Sequence, residues 1–308
     1  MRNQPTLTSV RRTPLGLVPV LGMSLLLSPV AVAADLDTEN QQLREQNREL
    51  QAELAANKAG GKEASGDATA KVRLFTGKSL GNWLTRDKDA KKNWKLANVV
   101  ELDPSDPKKL VGHGEGQGED GVMVLEKSAG GADIYTAREY GDGHYHVEFL
   151  VPRGSNSGIY LMGLYEVQVL DSHGKKKEDL RPGDLGGIYN TKPPAMNAAK
   201  APGEWQAFDI EFRAPRFDAS GKKTENARFV RVVLNGQVIH ENVEAPKPTG
   251  GELPGGEKKS AGPLMFQGDH GPVAFRHVWV IPTNPAQGHA DGGGGERGEK
   301  RKAEEGER

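Results

Sequence analysis

Between Val72 and Pro282 apolar residues recur at every second position in short runs broken by glycine and proline, and no long stretch carries the 3.6-residue period of a helix. A chain patterned this way buries its apolar faces as packed strands, so an all-β fold is expected. In residues 144–151, Tyr145, Val147, Phe149 and Val151 point one way while His144, His146 and Glu148 point the other. Asn235-Gly236 between two apolar runs in 227–243 marks a hairpin, because Asn-Gly supplies the positive φ angles of a tight turn. Further strands are expected at 158–170, 204–214 and 273–281. Five or more antiparallel strands with long loops between them predict two packed sheets forming one large sandwich.

The flanks have a different composition. Arg2, Arg11 and Arg12 precede an apolar stretch from Leu15 to Ala33 that ends in small residues, the pattern of a cleaved export signal over 1–34. Export predicts a periplasmic or secreted protein with no stable membrane insertion after cleavage. In 35–58, Leu36, Leu43 and Leu50 fall seven apart, each followed four residues later by Asn40, Asn47 or Leu54, as in a short coiled-coil helix. Two readings follow: a homodimer paired through 36–58, with Glu39 facing Arg44 and Glu53 facing Lys58, or a solvated helical spacer. Residues 59–71 read as a flexible linker, 72–282 as the sandwich, and 283–308 as a disordered tail almost free of apolar side chains.

Charge and cysteine content remove several classes of chemistry. With 41 basic against 42 acidic side chains there is no net field to draw a phosphate backbone, so nucleic acid is not an expected partner. The chain has no cysteine, which excludes thiol nucleophiles and thiolate metal sites and leaves any metal to histidine and carboxylates. His144, His146 and Glu148 share a strand face, an arrangement compatible with a metal or with plain surface polarity. In 164–174, alternation puts Glu166 and Gln168 on one face, with Asp171 joining them only if the strand ends or bulges near Leu170. Asn156 stands in a turn entering a strand, and His270, beside Asp269, in a glycine-rich loop. Arg276 alternates with Ala274 and Val278 and needs a carboxylate if buried, with Glu166 or Asp171 as the candidates. Of the four tryptophans, Trp205 and Trp279 fall in expected strands and read as core. The glycines of 113–120 lack the spacing of a nucleotide-binding loop.

Six segments together carry a resemblance: 74–83, 146–161, 165–172, 186–218, 233–244 and 262–282, among them YEVQVLDS and GPLMFQGDHGPVAFRHVWVIP. In this order they resemble the 3-keto-disaccharide hydrolase domain family, which is related to concanavalin A-like lectins and glucanases. The chain departs from that pattern at His277, where the family usually has asparagine, and in the loop 245–261; neither departure is expected to touch the polar cluster. The resemblance implies a jelly-roll-like sandwich of two antiparallel sheets that binds an oligosaccharide or keto-sugar. It implies family-like polar positions at Glu148, Glu166, Gln168, Asp171, His270 and Arg276; of the polar residues, Glu166, His270 and Glu148 are expected to be catalytic and Asn156, Gln168, Asp171, Asp269 and Arg276 to contact the sugar. No cofactor is implied, a divalent cation being the one alternative.

A ketone at C3 acidifies the C2 proton of a glycoside, so a base can remove it and expel the C1 substituent before water adds back. His270 or Glu166 would be the base, Arg276 or a bound cation the enolate stabiliser, and Glu148 the acid at the leaving oxygen. The conventional alternative is two-carboxylate hydrolysis, with Glu148 and Glu166 about 5–5.5 Å apart for retention or roughly 6.5–9.5 Å for inversion. A non-catalytic lectin-like binding module is the competing class, since fold alone does not assign function.

Overall fold

The computed structural model describes residues 70–86, 93–116, 118, 120–127 and 131–283. Residues 1–69 and 284–308, which take in the expected signal segment, heptad segment, most of the linker and nearly all of the tail, lie outside the described residues. The strands are, in chain order, β1 (Val72–Arg73), β2 (Trp83–Thr85), β3 (Trp94–Ala97), β4 (Val99–Asp103), β5 (Asp106–His113), β6 (Val122–Leu125), β7 (Ile134–Tyr140), β8 (Gly143–Leu150) and β9 (Asn156–Leu161). They continue as β10 (Tyr165–Leu170), β11 (Gln206–Arg213), β12 (Arg216–Phe217), β13 (Lys223–Glu225), β14 (Ala227–Leu234), β15 (Gln237–Ala245), β16 (Gly262–Phe266) and β17 (Val273–Pro282).

Two antiparallel sheets form a sandwich. The larger has eight strands in the order β15-β14-β11-β8-β17-β6-β3, with β1 added on β17, and the smaller five in the order β10-β9-β16-β7-β2. Strand alternation explains the packing: Tyr145, Val147 and Phe149 of β8 are buried at 0–1% exposure, while His144, His146 and Glu148 face away from the interior. Aromatic rings join the layers. Phe266 of the smaller sheet stacks on Phe275 of the larger with ring centroids 3.9 Å apart, and Trp83 stacks on Phe266 at 5.0 Å. A second apolar cluster, with Val124, Leu150 and Ala274, lies on the outer side of the larger sheet together with Val100 and Leu110 of the β4–β5 hairpin.

Asn235-Gly236 turns β14 into β15 with φ of 51° and 80°, as the Asn-Gly signal requires. The run 158–170, expected as one strand, is instead a hairpin: β9 and β10 pair antiparallel across Met162-Gly163, whose φ values are 58° and 66°. The two apolar strands flanking that turn carry no polar break, which is why periodicity alone merged them. Trp205 and Trp279 are only partly buried, whereas Trp83 and Trp94 are the buried pair at 1% and 4% exposure. Trp279 belongs to β17 but alternates onto its outer side, and Trp205 precedes β11.

Candidate active site on the outer face of the smaller sheet

Strand register assembles the site. Val167 and Ile159 point into the core, so Glu166 on β10 and Tyr160 on β9, paired with each other, point outward from the smaller sheet. Tyr160 pairs in turn with Met265 of β16, and Met265 with Tyr135 of β7, giving one row across the face. The adjoining row begins with Gln168 opposite Gly158, and the next with Asn156 opposite Leu170. Gly158 is required here, because a Cβ on it would stand 2.2 Å from the Glu166 carboxyl oxygen lying across it. Asp133 precedes β7 and joins the face from its far side: its carboxylate accepts a hydrogen bond from Gly268 N–H at 3.1 Å and from Arg86 Nη1 at 3.3 Å.

This arrangement perturbs a carboxyl. Glu166 is 2% exposed, and burial pushes its pKa up to about 8. The hydrogen bond from the Tyr160 hydroxyl works against that rise, while the charges of Asp133 and Asp269 add to it. Asp133 is also raised, first by burial, and the Tyr160 hydroxyl is pushed up by burial beside Glu166, so it keeps its proton. Two acceptors on the same face, Gln168 Oε1 and Asn156 Oδ1, are buried and unpaired among the described residues. Gln168 is oriented by its amide group, which donates to Gly183 O at 3.2 Å, so its free oxygen is left to receive a donor.

A covering segment closes the face. Thr249 Oγ1 accepts from Glu166 N–H at 2.9 Å, Thr249 N–H donates to Leu164 O, and Asn190 Nδ2 donates to Thr249 O. Gly251 follows above Tyr160, where a Cβ would come within 2.8 Å of the phenol oxygen, and its carbonyl accepts from Arg86 Nη1 at 3.2 Å. The loop 245–261, expected to stand clear of the polar cluster, is therefore part of its wall.

Among the residues singled out in the sequence, Glu166, Gln168 and Asn156 share this face, and Asp269 is close enough for its charge to act on Glu166. His270 is exposed, with its Nδ1 held by the Asp269 carboxylate. Asp171 serves loop geometry instead: its carboxylate accepts from Gly154 N–H at 2.8 Å and His173 N–H at 3.2 Å just past the end of β10. Glu148 and Arg276 lie elsewhere. Directly opposite each other on β8 and β17, they face outward from the larger sheet, and Arg276 Nε donates to Glu148 Oε2 at 2.7 Å. Arg276, which stacks over Trp205 at 4.1 Å, thus takes Glu148 as its carboxylate, not Glu166 or Asp171. Stacked sheets are about 10 Å apart and these two carboxyls point away from the interior on opposite sides, beyond the roughly 9.5 Å limit of a two-carboxylate mechanism.

His277, the other departure, also touches the Glu148 cluster: its Nδ1 lies 2.9 Å from Glu148 Oε1 and its Nε2 3.2 Å from Asp120. His146 is engaged by Asp209 at 2.7 Å and stacked on Trp279, and among the described residues no group of three or more His, Asp or Glu is arranged to hold a metal ion. Sequence reasoning did not single out Tyr160, Asp133 and Arg86. The adjacency of Tyr160 to Glu166 was hidden by the merged hairpin, since one strand would set them six residues apart, and the contacts of Arg86 and Asp133 come from distant loops.

The chain is similar to several solved structures. A candidate glycosyl hydrolase from Parabacteroides distasonis is 29% identical with a TM-score of 0.50, over 70% of this chain and 85% of its own. A second candidate glycosyl hydrolase from the same organism is 18% identical with a TM-score of 0.42, over 72% of this chain and 99% of its own. The carbohydrate-binding module CBM66 from Bacillus subtilis is 10% identical with a TM-score of 0.32, over 64% and 93%. No protein of curated description matches the chain. The model of the 3-keto-alpha-glucoside-1,2-lyase-like domain matches residues 70–281, most of the chain, and the protein accordingly belongs to that family.

Proposed function

We propose that the protein cleaves the glycosidic bond of 3-keto-glycosides by proton abstraction and elimination, followed by addition of water. The observation that carries this reading is Glu166: a carboxyl with a pKa of about 8, set beside a protonated phenol and two unpaired acceptors on one sheet face. A base that binds its proton this strongly suits removal of a carbon-bound proton near neutral pH. Glu166 takes the C2 proton, the C2–H electron pair moves into an enolate at the C3 oxygen, and the Arg86 guanidinium supplies the positive charge facing that side. The enolate then reforms the ketone, a C1–C2 double bond forms and the C1–O bond breaks. Tyr160 gives its proton to the departing oxygen and recovers one from the Glu166 carboxyl to which it is hydrogen-bonded, so both residues end as they began. Water adding across the double bond releases the keto-sugar, with His270, oriented by Asp269, as the group that activates it. Export to the periplasm or outside the cell, and pairing through 36–58, belong to the same proposal.

The lectin-like alternative needs an exposed aromatic platform. No aromatic ring is among the exposed large apolar side chains of the described residues, and Trp279 is covered by His146 at 4.9 Å and Lys71 at 4.2 Å. That supports the enzyme reading. Its test is NMR of the full chain with a 3-keto-glucoside and the unoxidised parent in deuterated water. Aglycone release is expected from the keto-sugar alone and lost in Glu166→Ala. In Tyr160→Phe, exchange of the C2 proton should persist while release falls at least about a hundredfold, the size of one general-acid contribution. Binding without release from either sugar would overturn the proposal in favour of a binding module.

A further inference from the structure

Along β10 the outward residues form an axis. Gln168 and Glu166 stand two residues apart, roughly 7 Å, and Leu164 lies just before the strand, in the turn at its Glu166 end. At the Gln168 end lie the unpaired acceptors Gln168 Oε1 and Asn156 Oδ1. Beyond the Leu164 end lies a cavity of about 430 Å³, lined by Met162, Leu164, Leu253, Pro254, Pro263 and Tyr135. Tyr135 belongs to the same row as Tyr160, both being paired with Met265, so this cavity adjoins the candidate site. Leu253 is held against the hairpin turn by its N–H, which donates to Gly163 O at 2.9 Å.

The two ends suit different chemistry. Sugar hydroxyls find acceptors at one end, whereas no unpaired buried polar side-chain atom lines the other, whose charged wall residues are Lys258, Lys259 and Glu139, the last two paired with each other at 2.6 Å. We infer that this cavity receives the aglycone of the keto-glycoside and selects substrates whose aglycone is an apolar group of aromatic size. The inference rests on the chemistry proposed for Glu166, which puts the breaking C1–O bond between the two ends. A volume of this size accommodates one or two fused rings, within the usual range for small-molecule sites.

The test compares kcat/KM of the full chain for three 3-keto-glucosides, bearing methyl, 2-phenylethyl and glucosyl aglycones. The two alkyl aglycones leave as primary alcohols, so a difference between them reports binding more than leaving-group chemistry. The phenylethyl compound is expected to exceed the methyl one by at least about tenfold, chiefly through KM, as filling an apolar pocket provides. Leu253→Asp should bring that ratio toward one. Ala261→Trp, which fills the cavity from another residue of its wall, should do the same if the first variant folds poorly. Titration with free 2-phenylethanol, followed by NMR on Glu166→Ala, reads the cavity without turnover and should show binding that Ala261→Trp abolishes. Equal efficiency for methyl and phenylethyl, or a preference for the glucosyl compound over phenylethyl, overturns the aglycone assignment and leaves the chemistry at Glu166 standing. Cleavage of none of the three overturns that chemistry and this inference with it.

Discussion

Glu166 is held in the fold at the expense of its charge. Its folded pKa of about 8 stands above the ordinary 4.5, so the folded state retains a proton that the unfolded chain releases as pH rises through 4.5. The stability of the protein therefore falls between pH 4.5 and 8 on account of this group and levels off above 8. At about 1.4 kcal/mol for each pH unit, the loss reaches on the order of 3–5 kcal/mol. Glu166→Gln, which keeps the shape and removes the ionisation, should match the wild type in stability at pH 4 and exceed it by a few kcal/mol at pH 9. Denaturant unfolding at the two pH values measures this, and an equal difference at both would show that the carboxyl ionises freely in the fold. The same residue then trades stability for chemistry, as a base set among Asp133, Asp269 and a phenol must.

At the scale of the element, β17 shows how one residue type can serve two contexts. Its register against β8 shifts between Arg276 and Trp279, and His277 within that bulge has a φ of 51°. Asparagine and histidine are both enriched in this left-handed region, so either residue suits the position. His277→Asn should accordingly be tolerated in stability, whereas His277→Val, with a branched Cβ, should cost at least about 1–2 kcal/mol, as thermal unfolding will show. Alternation in the sequence was enough to identify β8, β11, β14, β15 and β17 and to put Glu166 with Gln168 on one face, because strand period alone decides those points. It was silent on which sheet a strand joins. Glu148 and Glu166 look equivalent as outward carboxylates on apolar strands, and only the pairing of β8 with β17 and of β10 with β9 separates them. Tyr160 was missed for a different reason: alternation puts it on the face of Glu166, but it becomes a neighbour only through the turn at Met162-Gly163, which a single glycine within an apolar run did not mark.

For the whole molecule the consequence is a division of labour between the two outer faces. On the larger sheet Glu148 is partly buried, and hydrogen bonds from His277 and Arg276 outweigh that burial and hold its pKa below the ordinary value, a structural ion cluster present at neutral pH and lost as acid protonates it. On the smaller sheet the opposite shift raises the Glu166 pKa to about 8, so the ionised form that serves as base grows in as pH rises towards 8. Two groups separated by the full sandwich core and sharing no partner should act independently, since energies add within about 0.5 kcal/mol for sites more than roughly 10 Å apart. Glu148→Ala is expected to destabilise the fold by about 1–2 kcal/mol, by leaving Arg276 without its carboxylate, while keto-glycoside cleavage stays within about twofold. Combined with Glu166→Gln, the stability changes should sum at neutral pH. A coupling above about 1 kcal/mol, or a collapse of activity in Glu148→Ala alone, would mean that the two carboxyls share one site after all, and the elimination route through Glu166, Tyr160 and Arg86 would give way to a mechanism that uses both.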